Sequence, residues 1–152
     1  MKIMLLFFSV SLFFVACNTK INSKPNSLPI VGTWKLLQGM VIEKGDTTVT
    51  DYTKAVSFIK IINPTHFAFL QHDLTKGKGS NPSFVAGGGA YTLKGNEYTE
   101  HLEYCTARSW EGNSFNLKIS IKNDTLVQKG IEKVEAEGVD RLNIETYVRV
   151  RN

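Results

Sequence analysis

The stretch Phe115-Asn116-Leu117-Lys118-Ile119-Ser120-Ile121 alternates apolar and polar side chains without a break, and this pattern limits most what the chain can fold into. Successive side chains of a strand point to opposite faces, so Phe115, Leu117, Ile119 and Ile121 share one face. Such a strand is half buried. Directly after it, Asn123-Asp124 tolerates positive φ and suits a two-residue hairpin into Thr125-Leu126-Val127. Gly95-Asn96 does the same between Tyr91-Thr92-Leu93 and Glu97-Tyr98-Thr99. Asn63-Pro64 breaks a third pair of runs, because proline cannot donate to a ladder. Gly45-Asp46 turns a short ribbon from Met40 to Thr50. No helical periodicity of useful length follows residue 28.

Eight principal strands are expected, near Thr33–Gln38, Val56–Ile62, His66–Gln71, Ala90–Lys94, Glu97–Tyr104, Phe115–Ile121, Thr125–Lys129 and Leu142–Val150. Tight hairpins in a row favour an up-and-down antiparallel order, and closing the sheet on itself removes its exposed edges. The expectation is an all-β, eight-stranded antiparallel barrel. A sandwich is the alternative, since His66-Phe67-Ala68-Phe69-Leu70 carries bulky apolar groups on both faces. Gly87-Gly88-Gly89 is not a phosphate loop: no Lys-Ser/Thr follows and the next residues read as a strand. A bulge or barrel bend suits it better. The polar loop Lys76–Pro82 is expected at one mouth.

The N-terminus divides differently. One positive charge, Lys2, precedes about 14 largely apolar residues ending in Phe14-Val15-Ala16-Cys17. As a helix this stretch spans ~21 Å, short of a ~30 Å hydrocarbon core, so a cleaved leader fits better than a membrane span. Phe14–Cys17 resembles the bacterial lipobox, with Phe14 in place of the usual Leu. That resemblance implies residues 1–16 as a signal peptide and Cys17 as the lipidated first mature residue, anchored by several acyl chains such as palmitate. An ordinary secretory leader is the alternative. Residues 17–27 then form a polar tether whose ten residues after Cys17 reach ~35 Å when extended. The barrel domain takes residues 28–152. With Cys17 acylated only Cys105 remains, so no intramolecular disulfide is open to the mature chain.

Removing Lys2 reduces 18 basic side chains to 17 against 14 acidic ones, a net charge of +3. These charges are scattered, and no basic run forms the stripe that a nucleic-acid groove needs, so no nucleic-acid partner is expected. A monomer is expected. The absence of an acidic run after Cys17 favours the periplasmic side of the outer membrane, within the cell envelope.

Val31-Gly32-Thr33-Trp34 places a Gly-x-Trp on the first strand. With Asn63–Phe67, Gly88–Leu93, Asn96–His101 and Glu145-Thr146-Tyr147-Val148-Arg149, it resembles a family of small lipocalin-like exported lipoproteins common in Bacteroidetes. In that family Trp more often stands at Tyr147 and Thr at Ala90. The resemblance spans Leu28 to Val150. It implies a calyx-like barrel, loosely small-molecule binding, and no established reaction. It also implies that Arg149 packs over Trp34 to close the bottom of the barrel.

The candidate site gathers His66, Tyr91, Tyr98, Glu100 and Glu145. Tyr98, Glu100, Leu102 and Tyr104 share one strand face by alternation and Thr99, His101 and Glu103 the other; if the first face points inward, a partly buried Glu100 among tyrosines needs a partner such as His66 or an Arg. Either a ligand contact or a purely internal hydrogen-bond network fits. His66, His72 and His101 lack zinc-motif spacing, so neither a metal nor a haem is expected, and no cofactor is assigned. No nucleophile elbow is present and no catalytic residue is assigned. The leading expectation is a membrane-anchored binder of a small, mainly apolar molecule, with Trp34, Phe67, Phe69 and Tyr91 as walls and His66, Tyr98 and Glu100 as polar contacts. The alternatives are a structural or protein-interaction lipoprotein with a solid core, and an isomerase or hydrolase using His66 and Glu100.

Overall fold

Ten strands and two single 3₁₀ turns make up the regular structure of residues 28–151, the part that the computed structural model describes. The expected leader, Cys17 and the tether to residue 27 lie outside the described residues. The strands are β1 (Gly32–Glu43), β2 (Asp46–Asp51), β3 (Val56–Ile62), β4 (His66–Asp73), β5 (Phe84–Lys94), β6 (Glu97–His101), β7 (Tyr104–Cys105), β8 (Ser114–Lys122), β9 (Thr125–Val134) and β10 (Val139–Arg149). Every pairing is antiparallel, and the wall runs β1-β3-β4-β5-β6-β8-β9-β10. It closes where β10 returns to β1, from Trp34 opposite Arg149 to Ile42 opposite Leu142. The result is a closed eight-stranded up-and-down barrel. β2 is a hairpin extension of β1, and β7 a two-residue patch on β5.

The hairpins follow from local chemistry. Lys44, Gly45, Gly95 and Asn123 all take positive φ, which is why Lys-Gly, Gly-Asn and Asn-Asp turn here. At Asn63 the side-chain oxygen accepts from the backbone N–H of Thr65 (2.9 Å) and of His66 (2.7 Å), tying the turn beside Pro64.

One end of the barrel is plugged. Trp34 is fully buried and donates its indole N–H to the Ile30 carbonyl at 2.7 Å. The Arg149 guanidinium lies 4.0 Å from the centre of its ring and donates to the carbonyls of Val31 (2.9 Å) and Pro29 (2.5 Å). A cation on an indole face contributes about 0.5–2 kcal/mol, beyond the burial of the ring itself. Gly32 explains the first half of the Gly-x-Trp. Its φ is +145°, and a Cβ there would lie 2.4 Å from Arg149 Nη1. Above this plug Ile62, Phe67, Tyr98, Ile119 and Leu126 fill the interior.

Three expectations change. The strand beginning near Ala90 starts at Phe84 and runs through Gly87–Gly89, where the Phe69 ring lies against Gly87 in the place of a side chain. The strand read as Glu97–Tyr104 stops at His101. There Leu102 turns to bond Asn113 and Gly112, and Tyr104 emerges 68% exposed, off the face it was expected to share with Glu100. The first strand extends to Glu43. A bulge between Leu36 and Gln38 inserts Leu37 without losing closure. Because of that extra residue Trp34 and Leu36 face inward, and then Gly39 and Val41 do.

Candidate functional site

Half-way up the barrel the interior turns polar. Lys60 on β3 is 2% exposed, Glu100 on β6 is 7% and Gln128 on β9 is 5%. Alternation along Phe58-Ile59-Lys60-Ile61-Ile62 carries Lys60 inward with Phe58 and Ile62. The Lys60 ammonium is paired with Glu100 and donates to the Gln128 side-chain oxygen at 2.9 Å. The Gln128 amide donates to Glu145 Oε2 at 2.7 Å, and the Tyr147 hydroxyl donates to the same oxygen at 2.7 Å. The four side chains Lys60, Glu100, Gln128 and Glu145 thus form one chain of hydrogen bonds across the barrel, with Tyr147 joined to its end. Lys60 also lies 5.3–5.9 Å from the ring centres of Phe67, Tyr147 and Tyr98. A buried charge needs such company, since an unpaired ion in an apolar interior is strongly disfavoured.

Above this belt lies a cavity of about 370 Å³. The belt residues Lys60, Glu100, Gln128 and Glu145 form its floor, and Tyr52, Phe58, Phe69, Phe115, Leu117 and Tyr147 its walls. Trp110, carried by the 3₁₀ turn Arg108–Trp110, stands at the mouth, 5.9 Å from Phe115. Arg141 sits 5.5 Å from the Trp110 ring centre and pairs with Glu132 at 2.7 Å. Asn143 donates to the other Glu132 oxygen at 2.7 Å. The free thiol of Cys105 also lines the wall.

Ionisation follows burial. Desolvation raises the Glu145 carboxyl above the usual carboxylate range. Lys60 and the Tyr147 hydroxyl pull it back, while Glu132 and Glu100 push it further up. Burial and then the Glu145 charge hold Tyr147 well above an ordinary phenol. Tyr98 is raised by burial first and by Glu100 second, and among the described residues its hydroxyl has no hydrogen-bond partner.

The residues expected from sequence separate into three groups. Glu100 and Glu145 line the cavity floor, and Tyr98 lies in the interior beneath it. Tyr91 is also inside, opposite Glu100 on the β5–β6 ladder, but it serves the plugged end. Its hydroxyl donates to the Asn63 carbonyl at 2.9 Å and its ring sits 5.2 Å from Tyr98. His66 is exposed on the outer face of β4, bonded to the Thr65 hydroxyl at 2.8 Å, and does not reach the cavity. It cannot be the partner of Glu100; that partner is Lys60. The expected walls divide likewise, with Phe69 in the cavity and Trp34 and Phe67 in the core below.

His72 bonds the Asp73 carbonyl and His101 the Ser114 hydroxyl, so the three histidines are spread over the wall. Among the described residues no three His, Cys, Asp or Glu side chains are placed to hold a metal ion. The residues that sequence reasoning missed are Lys60, Gln128, Glu132 and Arg141 together with Tyr52 and Trp110. Lys60 had a signal: a lone charge in phase with Phe58 and Ile62. Gln128, Glu132 and Arg141 become neighbours of the site through the β9–β10 and β10–β1 ladders, Tyr52 by bonding back to β1 and Trp110 by packing on Phe115 of β8.

A scan against models of known protein families finds no match, and a search among curated proteins finds no significant relative.

Proposed function

We propose that this chain is a lipid-anchored, lipocalin-like binding protein of the cell envelope whose barrel holds a small molecule in the cavity above Lys60 and Glu145. The observation that carries the reading is the cavity itself. One end of the barrel is plugged by Trp34 and Arg149, while the other keeps about 370 Å³ free between aromatic walls and a hydrogen-bonded polar floor. Ligand pockets run from roughly 300 to 1,000 Å³ and combine mostly apolar linings with a few placed polar groups. The bound molecule therefore has an apolar body against Phe58, Phe69 and Phe115 and a polar end at the floor. Acylation at Cys17 and periplasm-facing attachment to the outer membrane rest on the lipobox-like Phe14–Cys17 and the polar residues that follow it. Native mass spectrometry of the full chain purified from its host membranes tests the binding. A retained small molecule is the expected result; an empty protein that also fails to take one up from a host extract would overturn the reading.

A protein-interaction role has one observation in its favour. Ile61, Leu70, Phe84 and Tyr104 are exposed on strands β3, β4, β5 and β7, at 41%, 37%, 62% and 68%. A stoichiometric protein co-purifying with the empty barrel would favour it. The hydrolase or isomerase reading finds no geometry in its support, because His66 and Glu100 stand on opposite faces of the wall.

A further inference from the structure

The charges lining the cavity do not balance. Two cations, Lys60 and Arg141, face three carboxylates, Glu100, Glu132 and Glu145. Each cation is already matched, Lys60 by Glu100 and Arg141 by Glu132. Glu145 alone has only neutral donors, the Gln128 amide and the Tyr147 hydroxyl, and both bind the same oxygen, Oε2. Among the described residues its Oε1 has no partner.

Aromatic rings lie beside this carboxylate, Tyr147 against its Oε2 and Tyr52 over the facing Gly39. Gly39 lies opposite Glu145 on the β1–β10 ladder, and the Tyr52 ring covers Gly39 so closely that a Cβ there would be 3.0 Å from Tyr52 Cε2. Tyr52 meets Phe58 edge-on at 5.8 Å, and Phe58 meets Tyr147 at 6.3 Å and 60°. Three rings set at angles beside one unmatched carboxylate form a surface that attracts an ammonium group, through the ring faces and through the charge together. An anionic ligand finds the reverse: among the described residues lining the cavity no cation is free, and a third carboxylate repels it.

Resting on the binding role proposed above, we infer that the ligand is an organic cation, an amine with an aromatic or apolar body, whose ammonium sits against Glu145 between Tyr52, Phe58 and Tyr147. The body then fills the space towards Phe69, Phe115 and Trp110. Proton linkage follows from the same geometry. The groups facing Glu145 are Lys60 from β3, Glu100 from β6, Gln128 and Glu132 from β9, Tyr147 beside it on β10, and Tyr52. Burial raises the empty site's Glu145 carboxyl, so acidification neutralises it while an alkylamine, titrating near ~10 as lysine does, stays charged. Amine affinity therefore falls with acid, and binding there releases a proton.

Calorimetric titration of the full chain with phenethylamine, 2-phenylethanol and 3-phenylpropanoate tests this, because the three share a body and differ in charge. Phenethylamine is expected to bind about tenfold or more tighter than the alcohol, with the acid weakest. Glu145→Gln, isosteric and still able to accept from Gln128 and Tyr147, should weaken the amine by about tenfold and leave the alcohol unchanged. Tyr52→Leu should weaken the amine several-fold. Equal or tighter binding of the alcohol or the acid overturns the inference and leaves the binding role standing, as does an unchanged amine affinity in Glu145→Gln. Failure of all three to bind also overturns it, and the binding role is then judged separately by the molecule that the host-purified protein retains.

Discussion

Replacing Lys60 by Met tests whether the polar belt is a fixed part of the barrel. Methionine fills nearly the same volume and keeps apolar contact with Phe67, Tyr98 and Tyr147, so little packing is lost. What disappears is the ammonium that pairs with Glu100 and donates to Gln128. With Lys60 2% and Glu100 7% exposed, the carboxylate is left in an interior that cannot solvate it. Removing one partner of a buried pair destabilises a protein by about 3–5 kcal/mol. For a domain of this size that corresponds to a fall in Tm of about 10–20 °C. Changing both partners, Lys60→Met with Glu100→Leu, should bring stability to within about 1–2 kcal/mol of the parent, because the Glu100 carboxylate is then gone too, and the losses left are the Gln128 contact and the attraction of Lys60 for Glu145. Urea unfolding at pH 7 measures all three as shifts in midpoint at constant slope. A single variant losing less than about 1 kcal/mol, or a double variant losing as much as the single, would refute the claim that the pair is desolvated and mutually dependent.

Two further outcomes follow from the same interior. Trp34→Ala removes a fully buried ring and the seat of Arg149, and should cost about 3–5 kcal/mol, read as a melting temperature lower by at least ten degrees or so; an unchanged Tm would contradict the plug. Glu145→Gln should act in the opposite sense. The folded carboxyl is raised above its unfolded value of 4.5, so the folded state binds the proton more tightly and ionised Glu145 opposes folding above that range. The variant should therefore equal or exceed the parent in stability at pH 7, with the difference closing as pH falls towards 4.5; a gap that widens on acidification would mean that the carboxylate is stabilised in place.

The barrel was largely legible because its information is local. Phe115–Ile121 shows the period of two, and Asn123-Asp124 and Gly95-Asn96 mark hairpins whether or not the rest of the chain is considered. Trp34 and Arg149 lie 115 positions apart, and only their likeness to a known opening and closing motif suggested that they touch. Alternation also grouped Tyr98, Glu100 and Leu102 on one face without saying which way it points, and that face points inward. It failed at Tyr104, because Leu102 bonds Asn113 and breaks the strand two residues earlier. His66 was misread for a related reason: with Phe67 and Phe69 on one face and Leu70 on the other, either phase of β4 was open, and in the closed barrel the phenylalanines face inward and His66 outward. The site depends on register between strands far apart in sequence. Nothing local says that Glu145 faces Gly39, or that a bulge at Leu37 would bring Gly39 and Val41 to the same inner face as Trp34.

The central claim is that the space above the belt is where a small molecule resides, and filling that space tests it most directly. Val41 lines the cavity wall on β1, away from the hydrogen-bonded floor, so Val41→Trp should put an indole into the 370 Å³ space and narrow it enough to obstruct a ligand body, while leaving Lys60, Glu100, Gln128 and Glu145 in place. Native masses of parent and variant, both full length and purified side by side from host membranes, give the answer. The account predicts a molecule retained by the parent and absent from a variant that still shows a cooperative melting transition. The same molecule retained equally by both would place it outside the barrel and contradict the account.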